Sequence, residues 1–352
     1  MKQTGGDWNP ANRPLFFFAG SYGRLHFDAE EWLGVDANRF TNVERVAEWS
    51  EDVPNPGSMK ELAVNRNIEG NQLFGNLFAV NDFADVNKPL DRRRHSWGEF
   101  EASIQAGIPT FLDSGVFYLT NVHKRNHSTS MDEALALAPE EIDDFDWLFD
   151  TYVELVNEYG DRLWGYNELD QGGMANKIRM RAKLEDLGLA PIPVYHPIND
   201  GWDYFDELAQ GYDRICFGNV VQAPPGERRR LLMTAYQRHL KYPDLFIHFL
   251  GLTPNELQAG MPFDSADSSM WTYTFRNPHS VRLSAMGHKR WQLSPDLYTP
   301  MKADPATRVI AGNVTVADQW AVIESLVHWQ ARLESQTGLV RYPAPETVGV
   351  DL

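Results

Sequence analysis

The sequence contains very little cysteine. Cys216 is the only cysteine among 352 residues. A single thiol cannot form a disulfide within the chain, and it cannot supply a zinc site that needs several thiolates. These two kinds of structural cross-link are therefore excluded.

Long apolar runs are also missing. No stretch approaches the roughly 18 uninterrupted apolar residues that a bilayer-spanning helix requires. The first residues, "MKQTGGDWNPANRP", lack the apolar core of a signal peptide. We therefore expect a soluble, cytoplasmic protein with no membrane partner.

Basic residues are outnumbered by acidic ones. The chain has 32 Lys and Arg against 49 Asp and Glu, for a formal charge of -17. This balance disfavours sequence-independent binding of nucleic acid over the whole surface, but it leaves room for a local basic groove. The candidate segments are 91–97, 226–232 and 276–291, and each could equally be a solvated helix end or loop.

Apolar residues are plentiful, and they fall into short runs that predict strands. Hydrophobic residues make up 43% of the chain and aromatic residues 12%, which is enough for a large core. The predicted strands cover residues 15–21, 73–80, 109–113, 162–168, 191–197, 214–219, 245–251 and 263–268.

Helical patterns follow most of these strands. In the segment 139–159, six apolar residues recur at helical spacing: Ile142, Phe145, Phe149, Tyr152, Val156 and Tyr159. Further helices are predicted at 174–187, 202–210, 227–241 and about 317–335.

Alternating strands and helices are typical of a parallel sheet, and eight strands in a chain of this length favour a (β/α)₈ TIM-like barrel. We predict an α/β fold with one domain over residues 1–352, and insertions at about 22–72 and 81–108. A doubly wound open sheet is the alternative, but no GxGxxG fingerprint follows the first strand.

Polar residues gather where the predicted strands end. In a barrel of this class, catalytic groups lie at the carboxyl ends of the strands. The residues at or near those ends are Ser21, Asp113, Glu168, Asp170, His196, Asn219, Asp264 and Asp267. Any one of the Asp or Asn residues also suits an ordinary turn.

Carboxylates that converge from different strands predict a reactive site, because their pKa values are pushed apart and they can divide nucleophile and proton-transfer roles. Two such groups suit cleavage at an anomeric carbon. Sugar hydrolases and base-exchanging glycosyltransferases both fit this pattern, and spacing does not separate them.

Two stretches, taken in order, resemble the tRNA-guanine transglycosylase superfamily. "LDSGVFY" at 112–118 is similar to the family's Asp-Ser-Gly-x-Phe motif, and "LFIHFLGLTPNELQAGMPFDSADSSMW" at 245–271 is similar to the strand and segment that carry its nucleophile. Within the second stretch, "ADSSMW" resembles the phage and bacterial branch that exchanges guanine in DNA for a 7-deazaguanine. The resemblance implies Asp267 as nucleophile, Asp113 as the acid/base group on the exchanged base, and Asp264 as a reserve nucleophile.

The resemblance also implies two further groups of residues. The base-binding candidates are Ser114, Gly115, Glu168, Asp170, His196, Gly218 and Asn219. The candidates for binding nucleic acid are Arg228, Arg229, Arg230, Arg276, Lys289 and Arg290.

One departure from the family concerns metal. The tRNA enzymes carry a zinc site of three cysteines and one histidine after the nucleophile, whereas this chain has only Cys216, which precedes it. His279 and His288 show no recognised metal-ligand spacing. We therefore expect no zinc subdomain, no metal site and no cofactor.

These features together predict a pentosyltransferase. It would replace guanine by a free 7-deazaguanine base, such as a preQ0-type precursor, through a covalent glycosyl-aspartate. DNA is favoured over tRNA as the nucleic-acid partner, and a phage-encoded enzyme would act in the host cytoplasm. The alternatives are a tRNA-guanine transglycosylase and a barrel glycoside hydrolase that uses the two carboxylates.

Overall fold

A computed structural model describes residues 1–6, 16–19, 74–84, 97, 100–101, 103–105, 107, 109–252 and 264–269. Those up to Ser268 belong to one compact unit. The predicted insertion at 22–72 and the predicted helix at 317–335 lie outside the described residues. The assignment of the whole chain to one domain stays a prediction.

The fold is α/β, with a curled parallel sheet of eight strands and a barrel-like shape, as the alternation of strands and helices predicts. Neighbouring strands follow the order β4-β3-β2-β1-β8-β7-β6-β5, and every pair is parallel. The strands are β1 Phe16–Ala19, β2 Phe74–Ala79, β3 Thr110–Asp113, β4 Gly165–Tyr166, β5 Val194–Tyr195, β6 Arg214–Phe217, β7 Phe246–Phe249 and β8 Ser265–Ser268.

Helices connect these strands in the described part of the chain. They are α1 Val80–Ala84, α2 Val116–His127, α3 Met131–Ala136, α4 Phe145–Tyr159, α5 Gly173–Asp186, α6 Trp202–Gly211 and α7 Pro225–His239. Short 3₁₀ turns cover Pro139–Glu141, Gly160–Arg162 and Val220–Gln222. None of the described helices is long and apolar enough to cross a membrane.

The helical periodicity predicted in the segment 139–159 is confirmed from Phe145 onwards, where α4 begins. All six apolar positions are buried, but Ile142 has extended backbone and precedes the helix. The other five lie on the buried face of α4. The helices predicted at 174–187, 202–210 and 227–241 correspond to α5, α6 and α7 within two residues at each end.

Two predicted strands are shorter than expected. The sequence predicted strands at 162–168 and 191–197, whereas β4 and β5 have two residues each. Pro193 and Pro197 flank β5, and a proline has no N–H to donate to a strand ladder. The prolines therefore limit β5 to Val194 and Tyr195.

Helix α2 was not predicted. Its buried face consists of Val116, Leu119, Thr120 and His123. Because two of these four residues are polar, the apolar repeat that identifies an amphipathic helix is weak here.

The segment predicted as an insertion at 81–108 contributes to the core. Phe100 is completely buried, and its ring lies 5.6 Å from that of Phe78 and 5.1 Å from that of Tyr159. Ser103 lies close to Thr110 of β3, with 2.7 Å between their hydroxyl oxygens. This part of the chain therefore covers the sheet near β2 and β3.

Aromatic side chains fill the inner face of the curled sheet. Phe17, Phe111, Trp164 and Phe246 belong to one buried cluster that also includes aliphatic residues and Cys216. The ring of Phe17 lies 4.8 Å from that of Trp164, and the ring of Trp164 lies 5.4 Å from that of Phe246. Since these residues come from well-separated strands, they meet only because the sheet curls.

A buried arginine closes the amino end of this core. Arg214, the first residue of β6, is fully buried and donates to the carbonyl oxygens of Thr4 and Gly5, each at 2.6 Å, and to that of Trp164. Burial lowers the pKa of this guanidinium to about 10. The residues 1–5 are thereby tied to the starts of β4 and β6.

Gly75 in β2 provides a test of this packing. A Cβ at Gly75 would lie 2.4 Å from the carbonyl oxygen of Pro109 and 2.5 Å from the ring of Phe17. Gly75→Ala should lower the free energy of unfolding by about 1–3 kcal/mol, because the core must shift to admit the methyl group. Urea denaturation measures the change.

Gly226→Ala in α7 is the matched control. No atom lies within 4 Å of a Cβ built there, so this variant should be more stable than the wild type by about 0.4–1 kcal/mol. Equal effects at the two positions would contradict the close packing at Gly75.

Candidate active site

Asp113 ends β3 and begins a tight turn. Its Oδ2 accepts the backbone N–H of Gly115 at 3.2 Å, the arrangement of an Asx turn. Gly115 has a φ of 77° and precedes α2, and a Cβ there would lie 2.9 Å from Oδ1 of Asn81. The turn therefore needs glycine, and it leaves the Asp113 carboxyl partly exposed.

Asn167 fixes the position of Asp113. Its Nδ2 donates to Oδ1 of Asp113 at 2.9 Å, and its Oδ1 accepts the backbone N–H of Ser114 at 2.7 Å. Its own carbonyl accepts the hydroxyl of Tyr152 at 2.6 Å. The end of β3 is thus bound to the residue after β4. Asn167 was not predicted from the sequence, since an Asn beside a strand end carries no signal of its partners.

Asp113 interacts electrostatically with two other carboxylates. Burial raises the pKa of Asp113 to about 7, and the negative charges of Asp170 and Asp267 add to that increase. Hydrogen bonds from Asn167 and Gly115 act in the opposite direction. Asp113 at the end of β3 is therefore within electrostatic range of Asp170, which follows β4, and of Asp267 in β8.

Asp170 pairs with His196. Its Oδ2 lies 2.9 Å from Nε2 of His196, and its Oδ1 lies 3.5 Å from the hydroxyl of Ser114. Burial favours the neutral acid, but the hydrogen bond and charge of His196, with the charge of Lys177, outweigh it and lower the pKa of Asp170. This carboxylate is kept ionised beside the more weakly acidic Asp113.

Gly218 allows the ring of His196 its position. A Cβ at Gly218 would lie 2.9 Å from the His196 ring. The next residue, Asn219, has a φ of 47°, and its Nδ2 donates to Oδ1 of Asn199 at 2.7 Å. Among the described residues, no group donates to the buried Oδ1 of Asn219.

Asp267 lies on the inner face of β8. Its Oδ1 accepts the backbone N–H of Gly251 at 3.0 Å and faces Nε2 of His248 at 3.3 Å. Nδ1 of His248 lies 3.1 Å from the hydroxyl of Ser265. The tautomer with the proton on Nε2 satisfies both contacts, because the ring then donates to Asp267 and accepts from Ser265.

The ring of His248 packs among the core aromatics. Its centroid lies 4.9 Å from that of Phe111 and 5.4 Å from that of Phe17, both edge-on. His248 is 1% exposed, so the ring has little freedom to rotate. A rigid imidazole therefore fixes the position of the Asp267 carboxylate.

Asp264 does not lie in this group. It precedes β8, three residues before Asp267, so the two side chains point to opposite faces of the strand. Its Oδ2 accepts the backbone N–H of Ile247 at 2.9 Å and lies 3.2 Å from Nε2 of His239. The structure places Asp264 beside the end of α7, whereas Asp267 contacts Gly251 and His248 and acts electrostatically on Asp113.

Glu168 is fully buried, and the protein occupies both of its oxygens. Oε1 accepts the backbone N–H of Val194 at 2.7 Å, and Oε2 accepts from Arg181 at 3.1 Å. Burial raises the pKa of this carboxyl to about 7, against the opposing charges of Arg181 and Lys177. Glu168 therefore joins β4, β5 and α5 and does not present a free oxygen to a ligand.

A buried lysine continues this network. Lys177 donates to the carbonyl oxygen of Val194 at 2.9 Å and pairs with Oδ2 of Asp200, which also accepts the backbone N–H of His196 at 2.8 Å. Lys177, Arg181 and Asp200 were not predicted from the sequence. Lys177 and Arg181 are four residues apart, on the helix face that also carries the buried Leu184. Their position on an otherwise apolar face is the feature of the sequence that could have predicted their burial.

The arginines predicted to bind nucleic acid are only partly described. Arg228 donates to the carbonyl oxygen of Val221 at 2.6 Å, Arg230 pairs with Glu227, and Arg229 is exposed on the same helix, α7. Ser21, Arg276, His279, His288, Lys289 and Arg290 lie outside the described residues.

Comparison with models of known protein families gives no match, and comparison with curated proteins gives no match either. The chemistry of the site must therefore be inferred from its own residues.

Asp113 offers a test of the site's electrostatics that needs no substrate. Its pKa lies near 7 in the folded protein against an ordinary 3.8. Between about pH 4 and 7 the unfolded chain binds fewer protons, so this group lowers stability as the pH rises. The loss reaches at most about 4–5 kcal/mol, at about 1.4 kcal/mol per pKa unit.

Asp113→Asn cannot ionise and should escape this loss. The variant should gain stability relative to the wild type as the pH rises from 4 to 8, as measured by urea denaturation. Effects of Glu168 are common to both proteins and cancel in the difference. A difference that does not change with pH would contradict the raised pKa.

Proposed function

We propose that the protein is a guanine transglycosylase that replaces guanine in nucleic acid by a 7-deazaguanine base, with DNA favoured over tRNA. The observation that carries the proposal is the electrostatic interaction of Asp113 with Asp267, which adds to burial and to the charge of Asp170 in raising the pKa of Asp113 to about 7. Asp113 and Asp267 are the two acids that the resemblance to the tRNA-guanine transglycosylase superfamily singles out.

The proposal includes a complete (β/α)₈ barrel without a zinc subdomain. Its support is a parallel bridge between Asn167, after β4, and Ile192, before β5. The N–H of Ile192 donates to the carbonyl of Tyr166 at 2.8 Å, and the N–H of Glu168 donates to that of Ile192 at 2.9 Å. These bonds would join the two outermost strands of the curled sheet.

In the first step Asp267 attacks the sugar. The target nucleotide leaves its base stack and enters the pocket, at a cost of a few kcal/mol in a duplex. Gly251 and His248 hold Oδ1 of Asp267, while no described residue donates to Oδ2. Oδ2 forms the bond to C1′, and the electron pair of the glycosidic bond departs with guanine.

Asp113 handles the protons of both steps. A carboxyl with a pKa of about 7 is present in both protonation states near neutral pH, as general acid/base catalysis requires. Asp113 protonates the departing guanine. The N9 of the incoming 7-deazaguanine then attacks C1′, its proton passes to Asp113, and Asp267 leaves as a carboxylate.

Asp170 and His196 bind the base. Guanine presents N–H donors at N1 and N2, and an ionised carboxylate accepts such bonds well. Asp170 is kept ionised and is held by His196. Ser114, Gly115, Gly218 and Asn219 shape the same strand ends, whereas Glu168 acts indirectly by fixing β5.

The nucleic acid extends over the mouth of the site. Phe117 is 56% exposed, four residues after Asp113, and its ring stacks on a neighbouring base, which is worth about 1–3 kcal/mol. Arg228, Arg229 and Arg230 contact phosphates, together with Arg276, Lys289 and Arg290.

A labelled 7-deazaguanine tests the reaction and the nucleophile. The wild type, Asp267→Asn and Asp264→Asn are each incubated with guanine-containing DNA or tRNA and the labelled base. Incorporation should fall at least about 10³-fold in Asp267→Asn, because the covalent step is lost. Asp264→Asn should retain incorporation in whatever fraction of the protein remains folded.

Each other outcome has a definite meaning. An active Asp267→Asn and an inactive, folded Asp264→Asn would make Asp264 the nucleophile. Label in tRNA alone would identify a tRNA enzyme. Glycan hydrolysis without base exchange would identify a glycoside hydrolase and overturn the proposal.

The pH profile of guanine release tests the role of Asp113. Release requires the protonated acid, so its rate should decline as the pH rises through about 7, the pKa of Asp113. In Asp113→Asn the rate should fall by about 10²–10⁴-fold and lose this inflection. An unchanged inflection in the variant would assign it to another group.

A further inference from the structure

A buried histidine, a half-exposed histidine and an aspartate converge in the described part of the chain, and none of the three takes part in the proposed base exchange. His123 and His127 are four residues apart on α2, so both rings lie on one face of the helix. Asp143 belongs to the segment that leads into α4. Among the described residues, these three form a group of metal-ligand type.

The ligand atoms are already close to one another. Nε2 of His127 lies 2.9 Å and 3.1 Å from the two carboxylate oxygens of Asp143, and Nδ1 of His123 lies 3.4 Å from Oδ1. One donor atom from each residue lies within 4.8 Å of the others. Donors about 2.0–2.2 Å from one tetrahedral zinc ion are about 3.3–3.6 Å apart, so only small side-chain movements are needed.

One ring nitrogen of His123 already faces Asp143. Its Nδ1 accepts the backbone N–H of Asp143 at 3.2 Å, and this nitrogen has a single lone pair. An ion bound at Nδ1 would therefore take the place of this N–H. The stacked rings of His123 and His127, with centroids 4.2 Å apart and planes at 27°, direct their nitrogens to the same side.

An acidic cleft adjoins the three residues. Residues 140–147 line a volume of about 430 Å³. Its carboxylates belong to Glu140, Glu141, Asp143, Asp144 and Asp146. Negative potential in an open cleft raises the local concentration of cations and gives a hydrated ion a route to Asp143.

We propose that His123, His127 and Asp143 form a binding site for a divalent transition-metal ion of the zinc class. Two imidazoles and one carboxylate suit Zn²⁺, Ni²⁺ or Cu²⁺ better than Mg²⁺ or Ca²⁺, which prefer oxygen ligands alone. Water completes the coordination. The ion cross-links α2 to the start of α4 and stabilises the fold by mass action. The proposal revises the expectation of no metal site and is independent of the proposed base exchange.

Calorimetric titration with Zn²⁺ in a non-chelating buffer tests the site, with the visible absorption of Co²⁺ as a second readout of its geometry. The wild type is compared with His127→Ala, Asp143→Asn and the control Asp146→Asn. His127 has a 51% exposed side chain, so its loss leaves the core intact, which circular dichroism checks.

The wild type should bind one more ion than His127→Ala, or bind it at least about tenfold more tightly, since loss even of an outer-shell partner costs 10–100-fold. Asp143→Asn should behave like His127→Ala. Asp146 lines the same cleft, but it is not one of the three proposed ligands. Asp146→Asn should therefore keep the wild-type affinity and the rise in Tm that Zn²⁺ should cause in the wild type. Wild-type binding that His127→Ala reproduces, or an equal loss in Asp146→Asn, would overturn the proposal.

Discussion

The side chain of Asn167 holds the candidate site together. It donates to the Asp113 carboxyl and accepts the amide of Ser114, so one amide group fixes both the catalytic candidate and the turn that follows it. The carbonyl of Asn167 is anchored in turn by the buried hydroxyl of Tyr152 on α4. The backbone N–H of Asn167 also donates to the carbonyl of Leu112 at 3.2 Å, so the ladder sets the spacing of β3 and β4 and the side chain fixes the Asp113 carboxyl at its end.

Buried charges extend this constraint to β5. Glu168 and Lys177 both bind backbone groups of Val194. This residue belongs to β5, a strand of two residues whose flanking prolines leave it few ladder bonds. Charged groups thus replace the missing backbone pairing. A buried ion pair is costly unless its hydrogen bonds are satisfied, and here Arg181 and Asp200 complete the network. The carboxylates of Asp170 and Asp113 differ in acidity. Asp170 is kept ionised beside His196, whereas the pKa of Asp113 is raised to about 7.

Much of the fold could be predicted because it depends on local pattern. Five of the six apolar positions noted in the segment 139–159 specify the buried face of α4, and prolines and polar residues delimit the short strands. Helix α2 escaped prediction because Thr120 and His123 occupy its buried face. The candidate acids could be located from the strand ends. Their partners could not, since Asn167 is 54 residues from Asp113 and His248 is 19 from Asp267.

The sequence by itself determined the alternation of strands and helices, the absence of internal disulfides and the positions of Asp113, Asp170 and Asp267 near strand ends. Local spacing and residue type are sufficient for such statements. Only the tertiary structure decided that these three acids share one electrostatic environment, that Glu168 is occupied by Arg181 and Val194, and that Asp264 points away. The reason is physical: a pKa depends on desolvation and on charges brought together through space, and curling of the parallel sheet sets those distances.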